Sequence, residues 1–332
     1  MARLPLESRG VASIKPGGRL DQHPLSARHD FETELDGLVL LDIDDRGATR
    51  GSASRKSSNK KSSNNVIRLL TAADIPQALE LSSIAGWNQT AEDWLMLINL
   101  APESCFALEC DGEIAATATL ICYERRLAWI GMVLTFPAYR RRGFARTLVK
   151  YALETADRDG IETVKLDATD QGQPLYESLG FIVEQEIERW SGNGDRPSPA
   201  CTEPARFPES FAALDLSAFA VNRSPLLSAL ASRARTIADL DGFLLRRTGR
   251  TAAYIGPCIA RTPEIAKRML DRCLNENEGP WLWDLLPANT SARDLALESG
   301  FHLQRKLVRM YRGTKFRGEE KMLFAIAGLE LG

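Results

Sequence analysis

Residues 128–145 read AWIGMVLTFPAYRRRGFA, and their order decides the fold. The apolar run from Ala128 to Phe136 has the length of a strand, and Pro137 ends it. A turn of three arginines and one glycine follows, and the pattern from Phe144 to about Ala156 predicts an amphipathic helix. A strand that feeds such a turn is a ready anion site. The first N–H groups of the helix lack partners within it, and its dipole adds about half a positive charge. Arg140, Arg141 and Arg142 add full charges, while Gly143 and Ala145 leave the backbone uncovered. No Gly-Lys-Ser/Thr follows, so this is not a Walker loop, and G-x-G-x-x-G is missing too.

The surroundings narrow the reading. A second strand is expected at Thr163–Ala168, and Pro-Leu-Tyr-Glu-Ser-Leu-Gly-Phe stands at residues 174–181. Strand, Arg-x-x-Gly-x-Ala loop, helix, strand and LYxxLGF in this order resemble the GNAT superfamily of acetyl-CoA-dependent N-acetyltransferases. The resemblance covers about residues 66–192. It implies an α/β (α+β) fold with a mixed, mostly antiparallel sheet flanked by helices, acetyl-CoA as co-substrate and no metal.

The same resemblance implies roles. Arg140, Arg141, Arg142, Gly143, Phe144, Ala145 and Arg146 would hold the pyrophosphate. Val133, Leu134 and Thr135 match the strand whose backbone binds the pantetheine arm and polarises the thioester carbonyl. Each such N–H donor is worth roughly 3 kcal/mol. Tyr176 matches the proton donor to the departing thiolate. One departure stands out: many members carry asparagine seven residues before that tyrosine, where this chain has Thr169. The proton acceptor is open, with Asp167 at the end of its strand and Glu109 and Glu124 as further candidates. Trp87, Asn88 and Gln89 lie in the loop that borders the acceptor side.

The rest of the chain is consistent with this frame. A net charge of −2 gives no reason to expect nucleic acid or an anionic membrane as partner. No apolar run approaches the roughly 20 residues that span a bilayer. Six scattered cysteines without C-x-x-C suit reduced thiols in a cytoplasm, and the three histidines form no ligand set. Residues 1–65 read as a disordered extension. Its stretch 50–65 holds five basic and no acidic side chains. The small apolar patch from Leu38 to Ile43 is expected at most to pair locally.

VIRLL from Val66 reads as a strand, and Thr71 with Asp74 and Thr90 cap two helices. Hairpin strands follow around Asp111-Gly112 and Glu124-Arg125-Arg126. A linker is expected at 193–206, and a second domain at 207–332. That domain carries a weak repeat. Ala253-Tyr254-Ile255-Gly256 echoes Ala128-Trp129-Ile130-Gly131, and Leu297-Glu298-Ser299-Gly300-Phe301 echoes the end of LYESLGF. Its phosphate loop is replaced by Thr262-Pro263-Glu264, a helix start with an acidic side chain, and its tyrosine by Ala296. It is therefore expected as a degenerate GNAT-like unit that completes the acceptor pocket or fixes the first unit's shape. A monomer or homodimer acting on an amine of a small molecule or peptide is the leading expectation. The alternatives are a CoA-binding sensor without catalysis, or a nucleic-acid-associated factor using the basic tract.

Overall fold

A computed structural model describes residues 38–40, 65–194, 208–275 and 279–332. The basic tract up to residue 64, the rest of the N-terminal extension and most of the expected linker lie outside the described residues. The first half runs β1 (Leu38–Leu40), β2 (Asn65–Leu69), α1 (Ile75–Ile84), α2 (Ala91–Leu100), β3 (Cys105–Cys110), β4 (Glu113–Tyr123) and β5 (Leu127–Thr135). It continues with α3 (Phe144–Arg158), β6 (Thr163–Ala168), α4 (Gln173–Glu177) and β7 (Ile182–Gly194). β7 thus runs two residues into the expected linker. The second half holds α5 (Glu209–Phe219), α6 (Ser224–Ala231), β8 (Arg235–Asp239), β9 (Gly242–Arg247), β10 (Ala253–Ala260) and α7 (Pro263–Asn275). It ends with β11 (Gly279–Leu285), α8 (Thr290–Glu298), β12 (His302–Gly313) and β13 (Leu323–Ala325).

Local chemistry accounts for the boundaries. Asp74 accepts from the Thr71 N–H at 2.8 Å and is gripped by both Arg68 terminal nitrogens. A 3-10 turn at Ala72–Asp74 precedes α1, with Pro76 placed in its first turn. Thr90 and Asp93 satisfy each other's backbone N–H at the start of α2. β1, the described part of the Leu38 patch, adds in parallel to β2 rather than pairing within its own neighbourhood.

Among the described residues the strands form one mixed sheet in the order β1-β2-β3-β4-β5-β6-β12-β7-β11-β10-β9-β8, with β13 against β10. Side chains alternate across it. Trp129 joins a cluster shared by α1, α2, α5 and α6, whereas Ala128 and Ile130 join the cluster under α3. α7 and α8 cover the corresponding face of the second half.

The halves do not close on themselves. Sequence reading gives each half its own last strand, but the two are exchanged. β12 from the second half lies between β6 and β7, and β7 from the first half pairs with β11. Matching ion pairs fix the exchange. Arg309 on β12 forks onto Asp167 of β6 at 2.8 and 3.0 Å, and Arg189 on β7 forks onto Asp284 of β11 at 2.7 and 2.6 Å. All four side chains are at most a tenth exposed. Bidentate geometry satisfies both carboxylates, which is the condition for burying such charges without a large penalty.

Candidate active site

β5 and β6 part company early. Their parallel ladder holds only Ala128 to Val164 and Trp129 to Lys165. Just beyond, β5 bulges against β4: Thr119 faces Gly131 and Thr117 faces Leu134, so β5 carries one extra residue. Met132 takes a left-handed φ of 50° there, and its carbonyl accepts from the Thr117 hydroxyl. The bulge, which no sequence pattern announces, therefore sits at Met132 and Val133, next to the expected Val133, Leu134 and Thr135. Leu134 is buried, while Val133 faces the opening.

The fork opens into a cavity of about 350 Å³. At one end lies the phosphate loop. Arg141 and Gly143 have φ of 64° and 83°, and Gly143 caps α3 without a side chain. A Cβ at Gly143 would meet no atom within 4 Å, so glycine is required there by backbone conformation and leaves open space above the helix end. Arg140, Arg141, Arg142 and Arg146 are exposed. Arg142 stacks over Tyr139, Arg146 bonds Ser178, and Arg140 and Ala145 line the cavity. Phe144 is buried beneath.

Tyr176 lines the cavity from α4, edge-on to Phe181 at 6.0 Å. Burial pushes its hydroxyl up to about 12, so it carries its proton throughout the neutral range. Thr169 holds the loop before α4 by accepting from the Gly172 N–H. Asp167 also lines the cavity, but both of its oxygens are taken by Arg309. Glu109 is bound to Arg68, and Glu124 sits in a hairpin turn on another surface pocket.

Trp87 and Gln89 also line the cavity. Asn88 does not join them. It is buried and clamps the second half, donating to the Ala252 carbonyl and accepting from the Thr251 and Ala252 N–H groups. Three further charged side chains reach the cavity from elements that local pattern does not mark: Arg189, Arg305 and Glu330. Glu330 arrives on the C-terminal tail. The tail is tied to β5 by Trp129 Nε1 on the Leu329 carbonyl and to β4 by the Tyr123 hydroxyl on that of Leu331. Burial raises the Glu330 carboxyl, with Arg247 pulling it down and Asp93 pushing it up. The one available signal was a lone carboxylate in the apolar ending IAGLELG.

The second half repeats the fork and fills it. β10 pairs with β11 only from Ala253 to Ile255, and β13 takes the vacated edge at Cys258 and Ile259. Trp283 donates to the Phe324 carbonyl, and the Ile326 N–H donates to Asp284. Asn289, the counterpart of Thr169 in the first half, donates to the Lys321 and Leu323 carbonyls and so holds β13 in place. Thr262 accepts at the start of α7, and Ala296 is buried where the tyrosine would stand.

Comparison with known proteins agrees with this geometry. Residues 74–181 match the Acetyltransferase (GNAT) family and residues 211–325 an Acetyltransferase (GNAT) domain, together more than half of the chain. The chain belongs to the GNAT superfamily. This GNAT protein is 27% identical over 267 residues to the uncharacterized N-acetyltransferase YitH of Bacillus subtilis, across 76% of this chain and 94% of that one. A Pyrococcus horikoshii protein assigned as an acetyltransferase shares its fold with a TM-score of 0.72 at 22% identity, over 84% of this chain and all of that one. The GCN5-related N-acetyltransferase from Sphaerobacter thermophilus gives 0.56 at 19% identity, over 75% and 95%. The chain is thus a GNAT acetyltransferase with two GNAT domains, dependent on acetyl-CoA, and family and relatives alike point to N-acetyl transfer. Among the described residues no helix is long and apolar enough to cross a membrane.

Proposed function

We propose that the first half transfers the acetyl group of acetyl-CoA directly to the amine of a small molecule, within a ternary complex, in the cavity between β5 and β6. One observation carries this reading. The fork of the first half opens between an intact phosphate loop and Tyr176, while the equivalent fork of the second half holds β13.

Acetyl-CoA supplies an activated thioester, and the residues present fit it. The first-turn N–H groups of α3 and the loop arginines suit its pyrophosphate. The bulge takes Met132 and Val133 out of the β4 ladder, and because the Met132 carbonyl turns to Thr117 of β4, the N–H of the same planar peptide unit points away from β4, where it can stabilise developing charge on the acyl oxygen; one such donor contributes roughly 3 kcal/mol. Tyr176, kept neutral by burial, can hand its proton to the thiolate. Such help is modest because a thiolate leaves readily. The second half contributes walls rather than a second centre, since Arg305 and Leu307 of β12 and the tail line the same cavity. A cytoplasmic setting belongs to the same proposal, as the five cysteines among the described residues are free thiols.

The test is a broad panel of small amines and peptides incubated with the full chain and acetyl-CoA, read by the mass of the acetylated product. Acetylation of small amines is expected. Acetyl-CoA binding with no acetylated product from any amine would instead favour a CoA-binding sensor.

A further inference from the structure

Two orphaned polar atoms point at what the cavity accepts. Of the buried side-chain polar atoms that lack a hydrogen-bond partner among the described residues, Gln89 Oε1 and Arg305 Nε belong to residues of this cavity. They are of opposite sense: one accepts, the other donates. Leaving either unpaired costs about 1–3 kcal/mol, so a ligand that meets both has a large incentive to bind.

Charge adds to the argument. Asp284 gives both oxygens to Arg189 and one of them also to the Tyr254 hydroxyl, and Asp167 is filled by Arg309. Among the described residues Arg305 is therefore left as a cation with no carboxylate paired to it. Burial and the neighbouring Arg189 both disfavour its charge, and only Asp284 offsets them. Its placement is built in: β12 shifts register between Leu303 and Arg305, which sets Arg305 opposite Arg189 and onto the face of Leu307 and Arg309. Gln89 lies beside the Glu330 carboxyl and helps hold it down. A carboxylate only accepts, so Gln89 must present its NH₂ there, and this is what leaves Oε1 free.

We propose that the acceptor is a free α-amino acid, its carboxylate on Arg305 and its amino group between Gln89 Oε1 and Glu330, which takes the ammonium proton. This assignment rests on the transfer reading above and deepens it. The chemistry balances. The substrate ammonium gives one proton to Glu330, and the free amine forms the C–N bond as the C–S bond breaks. Tyr176 protonates the thiolate, and the second amine proton, shed from the new amide nitrogen, restores Tyr176. Glu330 releases its proton to solvent. Trp87, Leu307 and Leu329 offer an apolar wall to the side chain, which favours uncharged amino acids.

The experiment compares kcat/KM for each amino acid with that of its methyl ester and its decarboxylated amine, using the full chain. The free acid is expected to lead by about 100-fold, the size of a lost charge-assisted pair. Arg305→Met should bring that ratio close to one, and Arg305→Lys should restore part of it, with the acetyl-CoA melting shift retained in both. Equal use of ester, amine and acid, or discrimination that survives Arg305→Met, would overturn the assignment while leaving amine acetylation intact. If no amine is acetylated, the transfer reading fails, and binding of amino acids to the CoA-loaded chain decides this one. Binding that Arg305→Met removes supports it; no binding overturns it.

Discussion

Gly131→Ala tests whether the tail reaches the fork. A Cβ built on Gly131 lies 2.7 Å from Glu330 Cβ, and 2.9 Å from both its Cα and its carbonyl oxygen. Two of these atoms are backbone, so no rotamer relieves the clash. Recovering an ordinary 3.4 Å contact from 2.7 Å requires the tail to retreat by at least 0.7 Å. It is held against doing so by Trp129 at 3.0 Å, Tyr123 at 2.7 Å and Arg223 on the Gly332 carbonyl at 2.7 Å. Overpacking of this kind costs about 1–3 kcal/mol, which lowers Tm by a few degrees. The larger effect falls on transfer. Displacing a proton acceptor by about 1 Å can cost about 100-fold, so kcat/KM for the acceptor should drop by that order. The assay is steady-state kinetics with the best acceptor, alongside thermal melting with and without acetyl-CoA. Because the phosphate loop is untouched, the acetyl-CoA melting shift should remain. A variant with unchanged Tm and unchanged kcat/KM would refute the placement of Glu330 against β5.

Other variants separate the parts. Tyr176→Phe should slow turnover about 10- to 100-fold without abolishing it, measured as kcat at saturating acceptor, since proton donation to a thiolate helps only modestly. For Glu330, burial raises the carboxyl; Arg247, Arg189, Asp93, Tyr254 and Tyr123 are the ionisable groups around it. A base works only when deprotonated, so kcat/KM should rise with pH along a limb above the ordinary carboxylate range. Glu330→Gln should lose that limb along with most activity. A raised folded-state value also means that Glu330 takes away stability as pH rises past its unfolded value, so the Gln variant should melt no lower than wild type at neutral pH. Asp284→Asn leaves Arg189 buried and half-paired. It should cost about 3–5 kcal/mol in denaturant unfolding, whereas replacing both partners with apolar residues should cost much less.

Much of the first half was legible because its signals are local. The phosphate loop needs glycine for a φ of 83°, the caps at Thr71 and Thr90 need their Asp partners, and both are written within a few residues. The loss of the loop in the second half was equally plain at Thr262-Pro263-Glu264. The strand exchange was not legible. Polar strands at Gln185–Trp190 and Gln304–Tyr311 have the same pattern in either partner, and only the three-dimensional ladder decides between them. The bulge at Met132 leaves no mark because the residues on both sides of it are apolar. Asn88 looked like an acceptor contact because an amide beside a tryptophan suits a polar ligand. Its actual bonds to Thr251 and Ala252 come from more than 160 positions away, beyond any sequence window. Glu330 and Arg305 were missed for the same reason: their meeting place is made by the other half.

The account stands most directly on the number of acetyl-CoA molecules each chain binds. Calorimetric titration of the full chain should give one site per chain, abolished by Gly143→Glu, because β13 fills the second fork and Asn289 holds it there. Two sites per chain, or one site that survives Gly143→Glu, would contradict it.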